Sequence, residues 1–176
     1  DETTVSNNPN PIPTITGALS FCEGFSSTLT ANAGFTNYVW STSTQAPSIT
    51  VTDGGNYAVT VTDSNGCQGS TNVVVVENTN SQPEILGNLI VCQGANPVLD
   101  AGSGYATYNW STSDQTQTIT VAASGTYTVT VSDASGCSGS DAVNVIINPT
   151  PTPAITGTLS FCEGNTNQLN AGAGFT

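Results

Sequence analysis

Apolar and polar residues alternate along this chain with a period of two. Odd positions carry the apolar side chains in "TITGALSF" (Ile15, Leu19, Phe21), "TLTA" (Leu29, Ala31), "SITVT" (Ile49, Val51), "NYAVTV" (Tyr57, Val59, Val61) and "NVVVV" (Val73, Val75). Thr, Ser and Asn fill the alternate positions, as in strands with one face on a core and one in water. Tyr38 and Trp40 form an even-numbered face of their own strand. The runs are separated by turn-forming clusters, "NAGF", "TDGG" and "DSNG", and no segment carries the helical period. The pattern predicts an all-β chain of six or seven short strands per unit. A tryptophan strand followed by a Gly-x-Tyr-x-Val strand points to a small Greek-key β-sandwich of immunoglobulin type. Trp40 and Trp110 are expected in cores, and Tyr57 and Tyr127 at tyrosine corners.

The same pattern recurs along the chain. Cys22, Cys92 and Cys162, Trp40 and Trp110, Tyr57 and Tyr127, and Cys67 and Cys137 all share one spacing of about seventy residues. "PTITGALSFCEG", "PEILGNLIVCQG" and "PAITGTLSFCEG" open three copies, and Pro-rich joints "NPNPIP", "SQP" and "NPTPTP" separate them. We therefore expect tandem immunoglobulin-like repeats. Residues 1–10 read as the end of a preceding repeat, because Asp1, Val5, Asn8 and Pro9 match Asp141, Val145, Asn148 and Pro149. Residues 11–80 and 81–150 read as two full repeats, and 151–176 as the start of a further, incomplete one. The chain reads as a window on a longer array.

Charge narrows the functional classes. The 176 residues contain 12 Asp and Glu and no Lys, Arg or His, for a formal net charge of −12. There is no imidazole base, no Schiff-base lysine, no arginine clamp for phosphate and no cationic groove. Nucleic-acid binding is not expected, nor is membrane insertion, since no apolar run approaches about eighteen residues. Lysine-to-asparagine isopeptide cross-links are excluded, and trypsin-type proteases have no cleavage site.

Five cysteines occupy two positions per repeat. One pairing stays within repeats, Cys22–Cys67 and Cys92–Cys137, and leaves Cys162 for a partner outside the chain. Another crosses the joints, Cys67–Cys92 and Cys137–Cys162, and leaves Cys22 over. Spacing excludes neither. We favour the first, because a sandwich this small is marginal on its core alone and a staple across residues 22 and 67 stabilises by roughly 3–4 kcal/mol. That pairing requires an even number of chain crossings between Cys22 and Cys67, with "STSTQAPS" a crossing loop or a stub.

Other candidates are weaker. Zinc sites want CxxC pairs or histidines, and neither occurs. Asp63 and Asp133 keep their place in both full repeats and are weak calcium candidates, but the "DSNG" pattern lacks the further ligands of a calcium loop and fits a turn better. Glu23 recurs as Glu163 but is Gln93 between them, so no retained carboxylate pair of a hydrolase is offered. No catalytic residue and no cofactor beyond loosely bound calcium is expected. Phe35, Tyr105 and Phe175 follow a glycine in the turn before the tryptophan strand, where a ring either plugs the end of the core or stacks on a sugar. We expect the plug. "NWS" at 109–111 is a formal glycosylation sequon around a core tryptophan.

The motif set Cys-x-Gly, Trp-Ser, Gly-x-Tyr-x-Val-x-Val and Asp-x-x-Gly-Cys, present in "FCEG…YVWS…GNYAVTVTDSNGC" and "VCQG…YNWS…GTYTVTVSDASGC", resembles the Ig-like tandem modules of large secreted surface proteins in Bacteroidota. The likeness covers nearly the whole chain. It implies a long extracellular chain, often exported by the type IX system and found in gliding-associated adhesins, surface filaments and multidomain secreted enzymes, where such modules are spacers. The expected function is a structural, non-enzymatic repeat of an extracellular fibre, stalk or adhesin. Its expected partners are neighbouring repeats, other fibre subunits or surface glycans. A glycan-binding module and the accessory repeats of a secreted hydrolase are the alternatives.

Overall fold

The computed structural model describes Thr3 and residues 7–172. Asp1, Val5 and Phe175 lie outside the described residues. Two successive stretches of chain each build seven strands in the same order. The first holds β1 (Ile15–Thr16), β2 (Ser20–Cys22), β3 (Ser27–Ala31), β4 (Asn37–Trp40), β5 (Ser48–Val51), β6 (Gly55–Thr62) and β7 (Gln68–Asn78). The second holds β8 (Leu86–Gly87), β9 (Ile90–Cys92), β10 (Val98–Asp100), β11 (Thr107–Trp110), β12 (Thr118–Thr120), β13 (Gly125–Ser132) and β14 (Ser138–Asn148). No helix occurs among the described residues, and so none is long and apolar enough to cross a membrane.

In each unit a three-stranded sheet, β1-β3-β5 or β8-β10-β12, faces a four-stranded one, β2-β7-β6-β4 or β9-β14-β13-β11. This is an Ig-like β-sandwich: the chain changes sheet after each of the first five strands of a unit, and among the described residues the only parallel pairings are β2 on β7 and β9 on β14. The inward residues are those picked out by the period of two. Leu29, Ala31, Trp40, Ile49, Val51, Val59, Val61 and Val75 form one core, and Leu99, Ala101, Trp110, Ile119, Val121, Val129, Val131 and Val145, with Ile85, form the other. Each indole N–H reaches a carbonyl of the following loop, Ala46 or Thr116, at 2.9 and 2.8 Å. The polar handle of a buried tryptophan is thereby satisfied.

Leu19 departs from the alternation. It is 46% exposed, because the chain between β1 and β2 leaves one sheet for the other and the period of two does not carry across that break. Its carbonyl is used instead, accepting the N–H of Val76.

Tyr57 and Tyr127 donate their phenol O–H groups to the carbonyls of Asp53 and Ala123, four residues back, at 2.8 and 2.9 Å. These are tyrosine corners, which tie the entry to β6 and β13 to the preceding loop. Tyr57→Phe keeps the ring and removes this bond, so urea unfolding should show a loss of about 1 kcal/mol. Leu29→Ala opens a cavity in the same core and should cost roughly 2–5 kcal/mol; an equal loss from both variants would contradict the corner's assignment.

Candidate functional site at the joint between two sandwiches

Cysteine placement follows from strand direction. β2 lies parallel to β7 with Cys22 opposite Asn78, the last residue of that strand. Cys67 precedes the other end of β7, an 11-residue strand, which puts the two cysteines about 35 Å apart along the sheet. The pairing Cys22–Cys67 expected from the sequence is therefore corrected, and Cys92–Cys137 with it, since β9 places Cys92 opposite Asn148 in the same way. The reason lies in the loop 41–47. After β4 it climbs back along the sandwich until the Pro47 carbonyl meets the N–H of Ala31, and this return makes the number of crossings odd.

The bond that forms joins Cys22 to Cys137, with 5.4 Å between Cα atoms and 115 residues between them in sequence. It links the exit end of the first sandwich to the β13–β14 hairpin of the second. Cys67, Cys92 and Cys162 are free. The cross-joint pairs Cys67–Cys92 and Cys137–Cys162 do not form either: the bridge skips from the first cysteine of one repeat to the second cysteine of the next. A loop of this size contributes about 4–5 kcal/mol by restricting the unfolded chain.

The hairpin tip is built to hold its cysteine still. Asp133 Oδ1 accepts the N–H groups of Ser135 and Cys137 at 2.8 and 2.9 Å, and Gly136 takes φ 83°, a conformation that favours glycine. Asp63 accepts from Asn65 and Cys67 in the same manner. These carboxylates make turns, and no cluster of three or more His, Cys, Asp or Glu that would hold a metal occurs among the described residues.

The linker seals the joint. The Ser81 hydroxyl donates to the Cys137 carbonyl at 2.8 Å, and the Tyr105 phenol donates to the Gln82 carbonyl at 3.0 Å. On the first sandwich, the Glu23 N–H donates to the Asn78 carbonyl and the Asn80 side-chain amide to the Glu23 carbonyl. Gly139 lets the linker approach, since a Cβ there would overlap the Ser81 carbonyl. Cys137 is 0% exposed as a result.

Phe35 and Tyr105, the rings proposed from the sequence as sugar platforms or plugs, are half-buried and pack edge-on against Tyr38 and Tyr108 at 5.9 Å. They close the ends of the cores. At the joint, the exposed aromatic is one the sequence did not single out: Phe25, 68% exposed. With Phe21, Cys22, Ser26, Asn80, Gly136 and Ser138 it lines a cleft of about 430 Å³ at the joint. The one available signal was the glycine two residues beyond each hairpin cysteine, Gly69 and Gly139, which recurs without a turn to explain it.

Two variants test the joint. Gly139→Ala should displace the linker and raise the rate at which chymotrypsin cuts at Phe25, with the tryptophan fluorescence of both cores retained. Cys22→Ser should broaden the distribution of inter-sandwich distances in small-angle scattering while leaving each sandwich folded. An unchanged profile for Cys22→Ser would show that the linker alone holds the joint.

No family model matches the chain, and no curated protein sequence matches it. Several solved structures are similar in fold. Murine CEACAM1b is 12% identical, covering 76% of this chain and 100% of its own, with a TM-score of 0.40. The insect immune protein hemolin is 13% identical over 83% of this chain and 48% of its own, with a TM-score of 0.39. A 1.5-MDa bacterial ice-binding adhesin is 14% identical over 86% of this chain and 70% of the solved chain, with a TM-score of 0.38.

Proposed function

We propose that this chain is a structural repeat region of an extracellular fibre, stalk or adhesin, acting as a spacer whose sandwiches are locked together by a disulfide. The observation that carries the reading is the Cys22–Cys137 bridge. Disulfides form and persist in oxidising places outside the cytosol, and this one spans two sandwiches instead of stapling one. Residues 22–137 lie within its covalent loop, so tension applied at the two ends passes from Cys22 through the sulfurs to Cys137 and bypasses nearly all of both cores. Unfolding a sandwich then adds almost no length.

Reach in such a protein grows by copying the unit, because each repeat contacts mainly its neighbours. The −12 charge, uncompensated by any cationic side chain, keeps adjacent chains apart at low salt and draws loosely held counter-ions such as calcium. In its finer form the proposal places the chain among the type IX-exported, gliding-associated surface proteins of Bacteroidota, on the strength of the shared motif order, and gives these residues no catalytic role.

The joint cleft favours a second reading, a surface- or glycan-binding module with Phe25, not Phe35 or Tyr105, as its stacking ring. An open cleft with an exposed ring beside the hydroxyl- and amide-bearing Ser26, Asn80 and Ser138 has the makings of a carbohydrate site.

Single-molecule stretching between the termini tests the spacer. Oxidised chains should release little length, and a reductant should free the 115-residue loop, about 400 Å of contour. Full release without reductant would refute the load-bearing role. Antibodies raised against the chain should label intact cells of its source. On a glycan array, binding that disappears in Phe25→Ala would replace the spacer reading with the binding one.

A further inference from the structure

Two of the free cysteines sit in the same surroundings as the two that are bonded. At the hairpin of the first sandwich, Asp63 Oδ1 accepts the Cys67 N–H at 2.9 Å, as Asp133 Oδ1 accepts that of Cys137 at 2.9 Å. The Asp63 N–H donates to the Cys67 carbonyl at 3.0 Å, against 3.1 Å for Asp133 and Cys137, and Gly66 has φ 81° where Gly136 has 83°. A Cβ on Gly69 would meet the Pro11 carbonyl just as one on Gly139 would meet that of Ser81. The Asn8 carbonyl lies 3.8 Å from the Cys67 sulfur, and Asn8 is the repeat counterpart of Asn78, the residue beside Cys22 at the formed joint.

The other end matches equally. Cys92 stands opposite Asn148 in register as Cys22 does opposite Asn78. The Gln93 N–H donates to Asn148 at 2.7 Å, where Glu23 donates to Asn78 at 2.8 Å, and the turns behind close through Ala95 to Cys92 and Phe25 to Cys22 at 3.1 and 3.0 Å. The difference is cover. Cys137 is sealed by the joint, whereas Cys67 is half-buried and Cys92 exposed.

We propose that each end of this chain is half of another such joint: Cys92 bonds the hairpin cysteine of a following repeat of the same kind, and Cys67 bonds the β2-end cysteine of a preceding one, within one polypeptide. Each bridge spans the 115 residues of the observed one, and Cys162, in its "FCEG" motif, takes its partner as Cys22 and Cys92 do. Successive bridges then overlap. The covalent path runs from Cys22 to Cys137, along the short stretch to Cys162, and across the bridge that Cys162 makes, so most of every core is bypassed by the load. Each bond forms by thiol–disulfide exchange with a disulfide-bearing oxidant of the exported compartment: two protein thiols lose two protons and two electrons, one protein S–S bond forms, and the oxidant's S–S bond opens to two thiols. The proposal extends the spacer reading and can fail without it.

The test is a disulfide map of the protein isolated from its source, alkylated without reduction and cut with chymotrypsin and an Asp/Glu-specific protease, since trypsin has no site. The expected peptides join Cys67 to a cysteine of the β2-end type and Cys92 to one of the Gly-Cys hairpin type, with a mass on a non-reducing gel equal to that of the single chain. Alkylated Cys67 and Cys92 beside an intact Cys22–Cys137 peptide would overturn the proposal and leave the spacer standing. A Cys67–Cys92 peptide, or bridged multimers that dissociate on reduction, would also overturn it.

Discussion

The parallel pairing of β2 with β7, and of β9 with β14, governs most of what is distinctive here. Without it, Cys22 would belong to a loop of no fixed position. Three residues of ladder register carry it to the end of β7, where the chain leaves the first sandwich, and the linker brings the next hairpin to the same place. The pairing also covers the outer edge of β7 with three residues of β2. A structural detail worth a few hydrogen bonds thus decides where a much larger covalent constraint falls.

That constraint matters because the sandwiches are small and have no cationic side chain with which to build ion pairs. Their cores are eight or nine residues of Val, Ile, Leu, Ala and Trp, and twelve carboxylates have no cationic side chain to answer them. The engaged acids turn to backbone N–H groups or to neutral side chains, as Asp114 does to the Thr112 hydroxyl and Asp100 to the Gln117 amide. Asp63 and Asp133 cap hairpin tips, and Asp141 accepts the N–H of Ile85 at 2.8 Å. Among the described residues no buried side-chain nitrogen or oxygen lacks a partner, so the polar groups cost little even though no salt bridge is available. A bridge between sandwiches adds stability that neither the cores nor the charges supply.

The joint also shows how a tandem repeat acquires a site that no single repeat has. Phe25, Asn80 and Ser138 come from the turn of one sandwich, the linker, and the hairpin of the next. Phe25 and Ser138 are exposed and Asn80 is half-buried. Phe25 has Ala95 as its counterpart in the second repeat, so the cleft is particular to this joint although the bridge that shapes it rests on repeated positions.

The period of two, the turn residues and the seventy-residue recurrence were enough to place the strands, both tryptophans, the tyrosine corners and the turn role of Asp63 and Asp133, because each is settled by neighbours within a few positions. Leu19 was misplaced for the same reason, since alternation holds only while the chain stays in one sheet. The cysteine pairing was beyond this reach. Five thiols at two repeated positions admit several registers, and the choice among them depends on the direction of β2 and on a loop that climbs back along the sandwich. Those are decided by the packing of two sheets and the docking of a linker over 115 residues of separation. Local side-chain pattern determined what each unit is; only the tertiary structure, by setting which ends meet, decided how the units are bound together.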